Sequence, residues 1–162
     1  SMTAELQRQN PRRDGFAETQ LERQGLTLKT GAPVTAALAV GNGVAAGFGD
    51  GTVRFFYPEE QPTAVKAHNG PILDLAADGA TGAVLTGGDD GRFLHVSPDG
   101  KIEEITSFGT KWVDCVAAAP GYLACSSGRT AHVWRAGSTD IKTFEHPSTV
   151  GGLAFEDRKS TV

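Results

Sequence analysis

The segment NGPILDLAADGATGAVLTGGDDGRFLHVSPDGKIEEITSF, residues 69–108, decides the fold. It holds four short runs, ILDLAAD, AVLTGG, RFLHVS and IEEITSF, and none of them shows helical periodicity. The turns between the runs are DGATG, DDG and PDGK, whose residues tolerate the left-handed backbone that hairpin connections need. The segment therefore predicts one four-stranded antiparallel sheet, with strands a, b, c and d in chain order.

The same pattern recurs on both sides of this segment. Residues 32–68 and 109–146 each hold short extended runs separated by Gly, Pro or Asp, and a further copy begins at Pro147. The first apolar residues of the four copies are spaced by 38, 41 and 37 residues, close to the roughly 40–45 residues of a four-stranded propeller blade. One such sheet cannot cover both of its apolar faces, whereas sheets packed face to face around an axis can. The repeat therefore predicts an all-β propeller. The copies are anchored at Val34, Ile72, Val113 and Val150.

Several of these segments resemble the WD-repeat propellers. AHNGPILDLAAD (67–78) resembles the family's Gly-His lead into strand a, and VLTGGDDGRFLHVS (84–97) resembles its strand b, Asp-Gly turn and strand c. GDGTVRFFY (49–57) repeats the turn, and TAHVWRA (130–136) carries a Trp where the family has one. The resemblance covers about residues 26–162. It implies a WD-repeat-like β-propeller with three complete four-stranded blades, the start of a fourth and an N-terminal closing strand.

The resemblance also suggests how the ring closes. LTLKT stands before blade one at the offset of a d strand, and it resembles the outer strand that latches the last blade of a ring. Three blades and a fragment fall short of the roughly six to eight that the family uses, so we expect a missing half or a second polypeptide to complete the ring. The alternative is closure by another copy of the chain, with residues 15–23 as a c strand. The predicted divisions are a polar arm at 1–25, the closing strand at 26–30, blades at 31–68, 69–108 and 109–146, and the start of a fourth at 147–162.

In the family, each blade carries a hydrogen-bonded tetrad: a His before strand a, a Ser or Thr on strand b, an Asp in the b–c turn and a Trp on strand c. The resemblance implies only fragments of it here. Blade two has the first three residues with Val96 at the Trp position, blade one keeps the Asp, blade three keeps the Trp, and a final His would begin blade four. These tetrad-like residues are His68, Thr86, Asp90, Asp50, Trp134 and His146.

A His, an Asp and a Thr together can also activate a nucleophile. The trio in blade two recurs in register with the repeat, however, and buried polar groups of this kind satisfy one another. We therefore interpret it as structural and predict no catalytic residue.

The expected function is that of a protein-interaction scaffold. The family binds partners mostly on the face formed by the d–a and b–c loops, and exposed aromatic side chains in loops make good contact points. Mapped onto this sequence, that face predicts partner contacts at Phe48, Asp89, Arg92 and Arg129 near the b–c turns, and at Asn69, Lys111 and Trp112 in the d–a loops.

The alternative functions are those of an enzyme and of a nucleic-acid binder. A propeller enzyme with a site in the axial channel could use the acidic pairs at 59–60, 89–90 and 103–104, but neighbouring strand residues point to opposite faces, so only the turn pair could converge. A nucleic-acid binder could use the basic arm formed by Arg8, Arg12 and Arg13. The net charge of −4 and a pI near 5.5 argue against that class.

Composition agrees with a turn-rich scaffold. The chain has 21 glycines among 162 residues, roughly twice the usual share of about 7%. Cys115 and Cys125 lie in apolar runs without metal-ligand spacing, so we expect buried reduced thiols and a cytoplasmic protein. No run approaches the roughly 18 apolar residues of a membrane span. We expect no metal and no cofactor, and a protein or peptide as partner.

Overall fold

Three four-stranded antiparallel sheets make up the described part of the chain, which in this computed structural model comprises residues 31–146 and 151–154. Blade one contains β1 (Val34–Val40), β2 (Gly43–Phe48), β3 (Thr52–Phe56) and β4 (Thr63–Lys66). Blade two contains β5 (Ile72–Asp78), β6 (Ala83–Gly88), β7 (Arg92–Val96) and β8 (Ile102–Ser107). Blade three contains β9 (Cys115–Ala119), β10 (Tyr122–Ser127), β11 (Thr130–Arg135) and β12 (Ile141–Glu145).

Each sheet is a simple meander, with its strands hydrogen-bonded in chain order. Tight turns make this possible, because glycines at the hairpins adopt positive φ angles that other residues avoid. In a meander, alternate connections lie at the same end of the sheet. The b–c turns and the d–a loops therefore share one end, and the a–b and c–d turns share the other.

The core lies between the blades. Between blades one and two it contains Val53, Phe55, Ile72, Val84 and Leu94, each 0% exposed. Between blades two and three it contains a second apolar cluster, made of Leu85, Phe93, Val113, Val116, Cys125 and Trp134. β2 and β6 are buried at every residue. For β6 this follows from the position of blade two, which has a blade on either side, so Val84 packs in one inter-blade cluster and Leu85 in the other.

The all-β propeller expectation is confirmed for three blades, and no helix occurs in residues 31–146 or 151–154. Both cysteines are buried, as expected, and they do not form a disulfide with each other. The polar arm and the closing strand at 26–30 lie outside the described residues, as does most of the fourth blade; within it, residues 151–154 have no regular secondary structure.

Candidate functional site

The end of the molecule that carries the d–a and b–c loops is tied together by backbone hydrogen bonds. In blade one the His68 N–H donates to the Gly51 carbonyl at 3.0 Å, and in blade two the Phe108 N–H donates to the Gly91 carbonyl at 2.8 Å. The Val113 N–H crosses to the neighbouring blade and donates to the Gly88 carbonyl at 3.0 Å. These bonds hold the loops in fixed positions, so side chains on them are presented on a rigid surface. We call this surface the loop face.

A buried polar trio stands beneath the loop face at blade two. His68 Nδ1 lies 2.8 Å from Asp90 Oδ1, and His68 Nε2 lies 2.6 Å from Thr86 Oγ1. Asp90 also accepts the Asn69 N–H at 3.0 Å and the Arg92 N–H at 3.2 Å. His68 is 1% exposed and Thr86 is 0% exposed. The arrangement ties the d–a loop, strand b and the b–c turn to one another.

Burial controls the protonation of this trio. Burial lowers the pKa of His68 below its usual value, although the hydrogen bond to Asp90 alone would raise that pKa. For Asp90, burial alone would raise the pKa, but the hydrogen bonds from His68 and the Asn69 N–H outweigh it and leave the pKa below its usual value. A neutral imidazole next to a carboxylate donates from Nδ1 and accepts the Thr86 hydroxyl proton at Nε2. Every polar atom of the imidazole is then satisfied.

Blade one holds a different arrangement at the same register. Asp50 accepts the Thr52 N–H at 3.0 Å and the Thr52 hydroxyl at 2.7 Å, which closes the b–c turn locally.

The Phe48 ring is 0% exposed and packs with Ala46 and Phe56, while the Arg54 guanidinium lies 4.6 Å from its centre. The expectation that Phe48 is an exposed partner contact is therefore wrong, because Ala46, Phe56 and Arg54 pack around its ring and the side chain is fully buried.

Blade three replaces the polar trio with a stack of rings. Cys125 pairs with His132 across β10 and β11 as Thr86 pairs with Leu94 across β6 and β7, so a thiol stands where blade two has its hydroxyl. The His132 ring lies 4.6 Å from the Phe108 ring. Trp134 lies 5.5 Å from Phe93 of blade two and is 6% exposed. Sequence reasoning missed the roles of Phe108 and His132, because no motif marks them.

The remaining predicted contact residues differ in how far their side chains are exposed. Trp112 is 56% exposed, and Lys111, Asn69 and Arg129 are exposed as well. Arg92 is instead half-buried, because its guanidinium donates to Glu104 of its own blade at 2.7 Å and to the Ala67 carbonyl in the preceding d–a loop at 3.2 Å.

The last two sequence-predicted residues are Asp89, in the b–c turn of blade two, and His146, directly after β12. Asp89 is half-buried and its N–H donates to the Pro71 carbonyl at 3.3 Å. His146 is exposed; its N–H donates to the Arg129 carbonyl at 2.8 Å, and its own carbonyl accepts from Arg129 Nε at 3.2 Å. The structure thus unites His68, Thr86 and Asp90, and leaves Asp50, Trp134 and His146 in separate surroundings.

The described residues contain neither a cluster of metal-ligating side chains nor a membrane-spanning helix. Within residues 31–146 and 151–154, no three His, Cys, Asp or Glu side chains are grouped so as to hold a metal ion. The same residues contain no helix long and apolar enough to cross a membrane.

Several solved structures are similar to this chain. The chain is similar to U3-55K, with a TM-score of 0.69 and 14% identity over 80% of this chain and 44% of that one. It is similar to the WD40 β-propeller domain of Doa1, with a TM-score of 0.59 and 24% identity over 74% and 43%. It is also similar to the computationally designed Ika4 protein, with a TM-score of 0.63 and 23% identity over 78% and 82%.

The neighbours therefore include WD40 propellers, and these likenesses show the fold alone. The chain spans less than half the length of the U3-55K and Doa1 chains that it matches. No protein-family model matches the sequence, and no curated protein matches it.

Proposed function

We propose that this chain is a protein-interaction scaffold of the WD-repeat type, which binds a protein or peptide partner on the loop face. The observation that supports this most directly is Trp112, a large aromatic side chain that is 56% exposed. Its d–a loop is held by the Val113 N–H bond to Gly88 and by the Lys111 N–H bond to the Phe108 carbonyl at 3.3 Å. An exposed Trp on a rigid loop contributes contact area at a low entropic cost, and Trp is enriched among binding hot spots.

Positive charge on the loops around Trp112 indicates the chemical class of its partner. Lys111 adjoins Trp112 in the chain, and Arg129 is exposed in the b–c turn of blade three. A partner that combines an apolar side chain with carboxylates would match this surface, since charge complementarity favours the encounter and fixes its orientation.

The test replaces Trp112 by Ala and compares the proteins captured from cell extract. We expect Trp112→Ala to reduce capture of the true partner by at least about tenfold, which corresponds to the roughly 1.4 kcal/mol or more of a hot-spot contact. Ile102→Ala is the matched control, because Ile102 is also exposed, at 37%, but lies at the opposite end of blade two. Equal capture by the wild type and by a folded Trp112→Ala variant would remove the loop face as the binding surface.

We further propose that blades from elsewhere complete the ring against blade three. Leu123 and Cys125 pack toward blade two, so the alternate residues of β10 and the residues paired with them face the other way. On that outer side Tyr122 is 42% exposed and Phe144 is 55% exposed. Large apolar side chains on one sheet face are what an adjacent blade would cover.

Two sources of these blades are distinguished by mass in solution. If a missing half or a second polypeptide completes the ring, the chain alone should form no defined dimer. Its copies should instead associate in a concentration-dependent way, and Phe144→Lys should reduce that association. Light scattering should then show the 16.9 kDa chain at low concentration. A discrete particle of twice that mass would favour the alternative, closure by another copy. A monomer at all concentrations whose behaviour Phe144→Lys leaves unchanged would contradict both.

The enzyme and nucleic-acid alternatives have less support. Asp90 is already held by hydrogen bonds from His68 and two backbone N–H groups. Across the β7–β8 pair, Glu104 bonds to Arg92, whereas Glu103 lies opposite His95. The basic arm falls outside the described residues, and its role stays a prediction.

A further inference from the structure

A cavity of about 660 Å³ opens at the end of the blades opposite the loop face, between blades two and three. Its walls come from the a–b turns of both blades and from the c–d turn of blade three. This volume falls within the roughly 300–1,000 Å³ of sites that hold small molecules or side chains. Most of the lining is small and apolar, and its largest apolar side chains are Ile105 and Leu123.

The cavity exists because the facing turns are built from small residues. The a–b turn of blade two contributes Gly79 and Ala80, and that of blade three contributes Pro120 and Gly121. Toward the loop face, by contrast, Phe93 follows the b–c turn of blade two, and its ring lies 5.5 Å from Trp134 in the apolar cluster between the same two blades. The two sheets thus pack tightly toward one end and leave room at the other.

The polar part of the cavity is acidic. Asp78 accepts His95 Nε2–H at 2.9 Å, the Thr81 hydroxyl at 2.8 Å and the Ala80 N–H at 3.2 Å. Burial alone would raise the pKa of Asp78, but these hydrogen bonds keep its pKa below the usual value, so the carboxylate stays charged. The network fixes Asp78 in place at the rim.

Glu103 supplies a second carboxylate. It lies directly opposite His95 in the β7–β8 pair and lines the same cavity. Its side chain is exposed and makes no hydrogen bond or ion pair with any other described residue. No Lys or Arg lines the cavity, and the imidazole in its lining, His95, is bonded to Asp78. No cationic side chain of the lining therefore pairs with Glu103.

From these features we propose that the cavity is a second binding site, which takes an arginine side chain of a peptide partner. The aliphatic stem would lie along the apolar walls, and the guanidinium would meet Glu103 and the remaining lone pairs of Asp78. A guanidinium suits this site because it carries five N–H donors in a planar fork and sheds water more readily than an ammonium group. The site lies at the opposite end of the blades from Trp112, so its test is independent of the test of the loop face.

The test uses small probes and backbone NMR of the whole chain. n-Butylguanidinium carries the stem and the cation of arginine, and n-butylurea has nearly the same shape without the charge. We expect n-butylguanidinium to bind at least about tenfold more tightly and to shift the amides of residues 78–81 and 119–121. Equal binding of both probes, or shifts confined to other regions, would overturn the proposal.

Two further comparisons identify the groups responsible. Glu103→Gln should weaken n-butylguanidinium binding by about two- to fivefold, the range for an exposed ion pair, while Glu60→Gln, an exposed carboxylate in blade one, should leave it unchanged. Nα-acetyl-arginine methylamide should bind more tightly than its lysine counterpart. The reverse order would overturn the assignment to arginine, and an unchanged affinity in Glu103→Gln would overturn the role of that carboxylate.

Discussion

Gly91→Ala is expected to lower the free energy of unfolding by about 2–5 kcal/mol, combining backbone strain with a steric clash. Gly91 lies in the b–c turn of blade two with a φ of 79°, a backbone conformation that residues with a Cβ rarely adopt. A Cβ here would lie 2.1 Å from the Gly109 carbonyl oxygen and 2.9 Å from that of Lys111. Both are backbone atoms of the d–a loop, so neither can rotate away.

A matched control separates the clash from the strain. Gly100 has a φ of 96° in the c–d turn of the same blade, and a Cβ there would meet nothing within 4 Å. Gly100→Ala should therefore cost only the strain, about 1–2 kcal/mol. Chemical denaturation of the two variants measures the difference directly. Equal losses of stability would show that the d–a loop can move, and that the loop face is less rigid than its hydrogen bonds imply.

Blade three shows why this position is not glycine everywhere. The Arg129 carbonyl accepts the His146 N–H as the Gly51 and Gly91 carbonyls accept theirs in blades one and two. The b–c turn of blade three has only two residues between the paired Ser127 and Thr130. Gly128 takes the positive φ there, at 61°, so Arg129 is free to carry a side chain.

The sequence predicted the blades because the signals that make them are local. Turn glycines and short apolar runs repeat at a near-constant spacing, and the four strands of each sheet follow one another in the chain. Strand a of blade three illustrates the limit. The repeat was anchored at Val113, but β9 begins at Cys115, since the Val113 N–H bonds to blade two instead of to its own sheet.

The site was less predictable because it depends on contacts between blades. Phe48 of blade one occupies the strand position that Gly88 occupies in blade two. Blade two needs glycine there because a Cβ on Gly88 would lie 2.4 Å from His68 Nδ1. Blade one fills that position with a ring, which only the three-dimensional arrangement reveals. The cavity between blades two and three was missed for the same reason, since its small residues lie far apart in the chain.

The second large effect is expected at His68. His68→Ala should lower the free energy of unfolding by about 2–4 kcal/mol, because it opens a cavity and leaves the Thr86 hydroxyl and the Asp90 carboxylate without their partner. Thr86→Val removes the hydroxyl at nearly constant shape and should cost about 1 kcal/mol. The double variant should lose less than the sum of the two, with a coupling of about 0.5–3 kcal/mol, as for groups in one hydrogen-bond network.

The pH dependence of stability tests the protonation state of the same trio. Burial holds the pKa of folded His68 below its usual value, whereas the unfolded side chain titrates near about 6.5. As the pH falls below about 6.5, the unfolded chain takes up this proton before the folded chain does, so stability is fully present above that pH and declines from there toward the folded pKa. His68→Ala should flatten the decline between pH 7.5 and 5.5 without abolishing it, because burial lowers the pKa of His132 as well. A wild-type melting temperature that rises over this range on acidification would mean that His68 is protonated in the folded state, as an ion pair with Asp90.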